Sequence, residues 1–528
     1  MPTLFTSLQA KHRPSKPSRR KRDVTAGMKI SPGHDNALEA GLDRIARSRP
    51  EKSKSQKKKA GTVAVVGAGL AGLCAAYQLM EANFEVEVFE ARDRVGGRTH
   101  TLKGIVNKKC MDAGAELIGD NHPLWLHFAD KFGVKLTDAK DYGNSPIRLG
   151  NRTLTWDESK KLNRRMEKLI TKLTQAAEAI VDPFEPWLNP DARKLDCVSL
   201  AHWIRNAKAH PQAKKALQKM LEADGGVVAE KQSLLAVLAM IRGGGLDRFW
   251  NDSELHRCEG GSQTLAKAFA AKLKSKGAKL LLGTQVCGLS VTESGATVFY
   301  RQLARPTVGQ DAKPITKCPA DAKRHTFDFV VLAIPPTVWK TIPKIEPSQL
   351  NRLLGGATTP QMGANVKYLM PFDTRFWENA ALGPNLTEDG LVDMTWETTE
   401  ADPENDPQYG MVAFSGAKEA EALSSMTSAA RKKHYIECLG PVYRGIEKML
   451  GNAVFVNWPK TPWTLASYCF PAPGEVTKWG PVYKAGFLNR LHFAGEHTCY
   501  AYMGYMEGAL SSGYRVAARI AVRNKIGM

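Results

Sequence analysis

No run of apolar residues in this chain approaches the roughly 20 that a transmembrane helix requires, so no membrane span is expected. No two cysteines stand at C-x-x-C spacing, and the nine present are odd in number and scattered. They read as reduced thiols, which argues against a disulfide frame and a zinc site; no metal site is expected. Acidic residues are in short supply. Against 74 Lys+Arg there are 53 Asp+Glu, a formal net charge of +21. The excess is concentrated in residues 1–60, with 16 Lys+Arg and 5 Asp+Glu, including SRRKR at 18–22 and KSKSQKKK at 52–59. The stretch after Arg19-Arg20 lacks an apolar core, which excludes an export signal and leaves a cytoplasmic location as the expectation. Low apolar content and high charge predict a mostly disordered extension with a short helix around 37–46. Such a tail could contact nucleic acid or an anionic surface, but a solubilising extension is the plainer reading. Repeats and low-complexity tracts are missing from the rest of the chain. At 43% hydrophobic and 24% charged overall, that remainder is long enough for two or three domains with a sizeable core.

What the chain does contain is concentrated at residues 62–90, TVAVVGAGLAGLCAAYQLMEANFEVEVFE. Val63–Val66 is a short β-branched run suited to a buried parallel strand. Gly67, Gly69 and Gly72 fit G-x-G-x-x-G. Leu73–Ala82 has helical character, and Glu85–Glu90 reads as the next strand. Gly67 permits the tight turn, Gly69 lets a pyrophosphate approach the backbone, and Gly72 lets helix and strand pack closely. The helix N-terminus then faces the phosphates with unpaired N–H groups. Glu90 can accept from a ribose hydroxyl. Strand, helix, strand and acid in this order predict a dinucleotide site. Arg94, Gly96, Gly97, Arg98 and Thr101 follow as R-x-G-G-R-x-x-T. A nicotinamide does not need this second glycine pair, whereas a longer cofactor lying across the sheet does. Arg98 can pair with its pyrophosphate by a planar fork, assisted by Arg92.

At this point the chain resembles the flavin amine oxidase family, which includes monoamine, polyamine and L-amino acid oxidases. The resemblance extends to LHFAGEHTCYAYMGYMEGA at 491–509, CEGGSQTL at 258–265 and FVVLAIPP at 329–336, in family order from about 62 to 520. It implies an α/β fold, with a Rossmann-like FAD-binding domain interleaved with an α+β substrate-binding domain. The expected division is a basic extension at 1–60, an FAD-binding domain at 61–115, 251–345 and 461–528, and a substrate-binding domain at 116–250 and 346–460. In that frame 156–179 is a helix, 280–291 and 296–301 are strands, and 304–324 is a surface excursion.

The resemblance also implies the chemistry. An amine loses a hydride equivalent to FAD, the imine hydrolyses, and dioxygen reoxidises the flavin to give hydrogen peroxide. Tyr505 and Tyr468 match the two rings that guide the amine. Lys367 matches the lysine that holds a water near the flavin. Gly114, Ala115 and Glu116 match the loop beside the flavin ring, Gly495 and Glu496 the ribityl contact, and Met506 the helix start beneath the ring. Val286 is expected on the adenine side. The partners implied are a small amine and dioxygen; a homodimer is left open. Two departures set expectations of their own. Ser467 stands where mitochondrial monoamine oxidases carry a flavin-linking cysteine, and Cys469 lies on the other side of Tyr468, so FAD is expected to be non-covalent. His100 stands where venom-type L-amino acid oxidases place a carboxylate-binding arginine, which favours amines without an α-carboxylate. The alternatives are an L-amino acid oxidase, a desaturase or porphyrinogen oxidase acting on an apolar ring, and a chromatin- or nucleic-acid-associated flavoprotein recruited by the tail. Lys367 and Tyr505 argue against the ring oxidase.

Overall fold

The computed structural model describes residues 59–139, 143–303, 314–356, 359–380, 382–399 and 408–525. The expectations for the basic extension, including its short helix, fall outside these residues apart from its last two.

The apolar run TVAVV forms the strand Thr62–Val66 at the centre of a five-stranded sheet. Its neighbours are Glu85–Phe89 on one side and Phe329–Leu332 on the other, with Lys279–Leu281 and Leu491–Phe493 outside them. All four pairings are parallel. Helices cover a parallel sheet, so its inner strands are near-continuously apolar. Phe329–Leu332 is buried at every position. The helix Leu70–Glu81 packs on the sheet and is crossed by the helix Met506–Lys525. A Cβ at Gly513 would meet the Ala71 carbonyl at 2.2 Å, so the crossing requires a bare backbone there.

A seven-stranded sheet stands apart from the first. It runs from Val454–Asn457 through Asn365–Phe372, Tyr409–Gly416, Met394–Glu397 and Thr387–Glu388 to Ile147–Leu149 and Arg152–Thr153. The long helix Trp156–Ala177 starts on a capping box: Thr155 and Glu158 bond one another's backbone N–H. It ends two residues before its expected limit.

Three further boundaries differ from expectation, each for a local reason. The first helix begins at Leu70 rather than Leu73, because Gly69 already serves as its N-cap. The strand expected over 280–291 is two strands. Lys279–Leu281 closes the parallel sheet, the chain turns at Gly283 with φ +63°, and Thr284–Val291 enters a separate four-stranded sheet. The Gly283 and Thr284 amides donate to the Arg92 and Glu90 carbonyls, both at 2.8 Å, which pins this turn beside the end of the second strand. The excursion expected over 304–324 gives way to strand at Lys323, paired with Tyr300.

Glu507 joins the C-terminal helix to the rest of this layer. It is fully buried, and its carboxylate accepts from the Leu124 amide at 3.1 Å and the Trp125 amide at 2.9 Å, at the N-terminus of the helix Pro123–Phe132. Burial pushes its carboxyl up from 4.5 to about 7. A raised acid contributes its full stability below the unfolded value and loses it as pH rises through the folded one. Glu507→Gln keeps an acceptor and cannot ionise, so its thermal midpoint should gain on wild type above pH 7. Glu507→Ala leaves two amides unpaired and should cost about 1–3 kcal/mol. Thermal unfolding at pH 6 and pH 8 reads both; a Gln variant that falls further behind at pH 8 would contradict the account.

Candidate functional site

One cavity runs from the first glycine turn to the C-terminal segment. At the turn, Gly67 has φ +104°, and a Cβ would lie 2.7 Å from the Ala333 carbonyl. Gly72 is packed against the Gly67 carbonyl and Val65 and stays out of the cavity lining. Gly69 differs from both: nothing lies within 4 Å of its Cβ direction, which opens into the cavity. The helix that starts here has no side-chain cap and no acid in its first turn. Its leading N–H groups are left for an anion. The second glycine pair closes on the first, since Gly96 N donates to the Ala68 carbonyl at 2.8 Å and Gly69 bridges to Gly96. Glu90, one residue past its strand, accepts from the Ala68 amide at 2.8 Å and the Arg92 amide at 2.9 Å. An uncapped helix start, an open Gly69 and a carboxylate across the turn fit a dinucleotide.

The arginines are held by the protein. Arg98 pairs with Glu496 at 2.6 Å and donates to the Ser467 carbonyl at 2.7 Å. Arg92 donates to the Pro462 carbonyl at 2.5 Å and to Thr464 Oγ1 at 2.6 Å, so it orders the 462–464 segment across the cavity from Glu90. Glu496 also accepts from the Cys469 and Gly504 amides, and Gly495 N donates to Ser512 Oγ at 2.9 Å. Val286 and Met506 line the wall.

The middle of the cavity is organised by Glu116. It accepts from Lys367 Nζ at 2.8 Å, Arg257 Nε at 2.9 Å, Trp396 Nε1 at 3.1 Å and Thr398 Oγ1 at 2.6 Å. Burial alone would raise its carboxyl; Lys367 and Arg257 overcome this and hold it down at about 2. Lys367 also donates to the Asp112 carbonyl at 3.0 Å and the Gly114 carbonyl at 2.9 Å. These three acceptors match the three donors of an ammonium. A water held by Lys367 therefore shares one of them. Gly114 and Ala115 line the cavity beside it.

The last part of the cavity is aromatic and acidic. Tyr505 packs edge-on against His122 at 5.2 Å and Phe249 at 6.4 Å. Tyr468 Oη donates to the Asp224 carbonyl at 2.7 Å. Burial pushes both phenols well above their ordinary value, so both are neutral. Leu221, Val237, Met240 and Trp250 supply apolar wall, and Asp224 and Glu254 supply carboxylates. Ser467 Oγ donates to Asn365 Oδ1 at 2.6 Å. The Cys469 thiol donates to the Gln361 carbonyl, and burial pushes its pKa well up. His100 does not line the cavity; burial and the nearby Arg94 hold it neutral, near 3.

The residues singled out from sequence for catalysis or cofactor binding line this cavity except Gly72, whose task is packing, and Arg94 and Thr101 at the two ends of the second glycine motif. Sequence reasoning missed Arg257, Trp396, Asp224 and Glu254. None sits in a motif: Arg257 and Trp396 meet Glu116 only through strands paired far along the chain.

Comparison with known proteins matches this geometry. Residues 70–521 match the model of the flavin-containing amine oxidoreductase family. A probable flavin-containing monoamine oxidase A from Dictyostelium discoideum is 25% identical over 477 residues, covering 87% of this chain and 97% of that protein. A putrescine oxidase from Kocuria rosea is 27% identical over 476 residues, covering 87% and 94%. A solved double mutant of putrescine oxidase superposes with a TM-score of 0.75 at 23% identity, over 88% of this chain and 99% of that one, which shows the shared fold. With its dinucleotide turn, its second glycine pair and its C-terminal segment meeting at one cavity, the chain belongs to the flavin-containing amine oxidoreductase family.

Proposed function

We propose that this FAD-dependent amine oxidase acts on amines without an α-carboxylate and holds its flavin without a covalent bond. The observation that carries the reading is the single cavity joining the Gly67–Gly69 turn to Tyr468 and Tyr505. FAD, when bound, takes a hydride equivalent from the amine carbon and passes the electrons to dioxygen, giving hydrogen peroxide. The chain's residues do the rest. Gly67, Gly69 and the helix start receive the pyrophosphate with Arg98, Glu90 meets the ribose, and Glu496 the ribityl chain. Residues 61–115, 251–345 and 461–528 form the flavin unit in this reading, and 116–250 with 346–460 the substrate unit. Tyr505 and Tyr468 orient the amine in an apolar pocket that favours its neutral, reactive form. Lys367 holds the 112–116 loop and, by sharing a donor, a water beside the flavin.

The charge pattern supports amines over amino acids. Each cation lining the cavity already faces a carboxylate: Arg92 with Glu90 at 4.0 Å, Arg98 with Glu496 at 2.6 Å and Lys367 with Glu116 at 2.8 Å. Among the described lining residues, none is left over for a substrate carboxylate. For a matched amine and L-amino acid, kcat/KM should favour the amine by a factor on the order of thirty or more, the worth of a desolvated ion pair. Preference for the amino acid would move the function to an L-amino acid oxidase.

Ser467 offers no thiol, and Cys469 is a protonated, hydrogen-bonded one. Acid precipitation should therefore release all the yellow colour into the supernatant, whereas colour retained in the pellet would mean a covalent link.

Tyr505 and Lys367 should fail differently. Tyr505→Ala should lower kcat/KM for amines on the order of a hundredfold with flavin still bound, since orientation is realised in the transition state. Lys367→Met should slow reoxidation by dioxygen more than anaerobic reduction by amine, as read by stopped flow. Unchanged reoxidation would assign Lys367 to the loop alone.

A further inference from the structure

Two of the free cysteines, Cys287 and Cys318, are brought together by the fold, and the flavin site uses neither. Cys287 lies on the strand Thr284–Val291. Val286 pairs with Tyr300 and Gly288 with Phe299, so Cys287 is the extra residue of a β-bulge, a device that re-aims a side chain. Its thiol is fully buried. Cys318 stands near the end of the surface excursion, in the stretch 314–318 that precedes the strand Lys323–Phe327. That stretch is pinned to the first strand. Gln285 Nε2 donates to the Ile315 carbonyl at 3.1 Å, and the Ile315 amide donates back to Gln285 Oε1 at 2.9 Å. Two residues past Gln285 and three past Ile315, the Cys287 and Cys318 thiols hydrogen-bond each other. Thiols in contact meet the condition for a bridge without backbone movement.

The two sulfurs differ in access. Cys318 is partly exposed. Cys287 is sealed in, and burial together with the neighbouring thiol pushes its pKa up to about 12. An oxidant arriving from solvent therefore meets Cys318 first, and Cys287 is placed to resolve it. The pair also backs the wall of the flavin cavity. Thr284, Gln285 and Val286 line that cavity. Gln285 Oε1 accepts a further bond from Trp463 Nε1 at 3.1 Å, and Trp463, another lining residue, lies beneath the Arg92 guanidinium at 5.8 Å. The stretch that carries Cys318 is thus one side chain away from the cofactor path.

We propose that Cys287 and Cys318 form a reversible, peroxide-driven disulfide that clamps the 314–318 stretch onto the wall of the flavin cavity. This rests on the amine oxidase reading above, because the oxidant is hydrogen peroxide, the product of that reaction. The Cys318 thiolate attacks one peroxide oxygen. The O–O bond breaks, a sulfenic acid forms, and the other oxygen leaves as water. The Cys287 sulfur then attacks the Cys318 sulfur. The S–O bond breaks, and the hydroxide leaves with the Cys287 proton as a second water. The two thiols lose two electrons and two protons, and one peroxide becomes two waters. A dithiol reductant reverses the step by thiol–disulfide exchange. The clamp gives the enzyme a record of its own turnover, written on the wall that holds its cofactor.

The test uses the flavin-loaded enzyme, reduced with dithiothreitol, freed of it, and then exposed to hydrogen peroxide. Peptide mapping with free thiols blocked should find Cys287 joined to Cys318. On heating, flavin fluorescence should appear at a temperature higher by about 2 °C or more in the oxidised enzyme, and dithiothreitol should return it to the reduced value. In Cys318→Ser, and in Cys287→Ala as a second variant, peroxide should produce no upward shift. Because each protein is compared with itself before and after peroxide, a folding defect does not mimic the result. If peroxide gives no linked peptide, or the linked enzyme releases its flavin fluorescence at the reduced temperature, the assignment is overturned. Anaerobic reduction of the flavin by an amine reads the amine oxidase assignment separately, so a failed clamp leaves that reading standing. If peroxide links the pair and raises the temperature while no amine reduces the flavin, the clamp stands and the reading above falls.

Discussion

Glu116 is the contact on which the site depends. It is 5% exposed and gathers four donors from three other stretches of chain. Lys367 comes from the strand Asn365–Phe372, second from one edge of the seven-stranded sheet, and Trp396 from Met394–Glu397 at its centre. Arg257 comes from His256–Cys258, next to the CEGGSQTL segment. Glu116 itself continues from the 112–115 loop, whose carbonyls Lys367 also holds. One anion thus ties the flavin-side loop to the sheet that floors the cavity. Removing a single partner from a buried ion network costs about 3–5 kcal/mol, because it leaves the other charge uncompensated. The 112–116 loop is therefore held far more tightly than backbone contacts alone would hold it.

The same electrostatic logic divides the cavity in two. Among the described lining residues Glu90, Glu116 and Glu496 each have a cation, and the arginines and lysine are consumed in positioning segments such as 462–464 and 112–116. Next to Tyr468 and Tyr505 the cavity is lined by two further acids, Asp224 and Glu254. Burial, with the charge of Glu254 adding to it, pushes the Asp224 carboxyl well above its usual range.

Packing at the turn shows how local chemistry and distant contacts combine. Gly67 and Gly72 are required by the carbonyls they touch, while Gly69 is required by what the cavity is to hold. The turn at Gly283 then brings Thr284–Val291 alongside Glu90 and Arg92, completing the wall on which Val286 sits.

How much of this was legible in the chain follows from the range of each interaction. The parallel sheet, the first glycine turn, the second glycine pair and the 491–509 segment were readable because backbone sterics and apolar runs are properties of a few adjacent residues. The positions of Tyr505, Glu496, Arg98 and Ser467 followed from the same short motifs and their family order. The break at Gly283 was missed, since two strands joined by a one-glycine turn carry one continuous apolar pattern. Lys367 was picked out as a lysine needing a polar partner, but its three acceptors and the convergence of Arg257, Trp396 and Thr398 on Glu116 depend on segments brought together from two different sheets. Asp224 and Glu254 carry no motif at all: each is an ordinary acid at a helix end or in a loop. Only the tertiary structure places them in one compartment with Tyr468 and Tyr505, because they reach it from separate elements far apart in the chain.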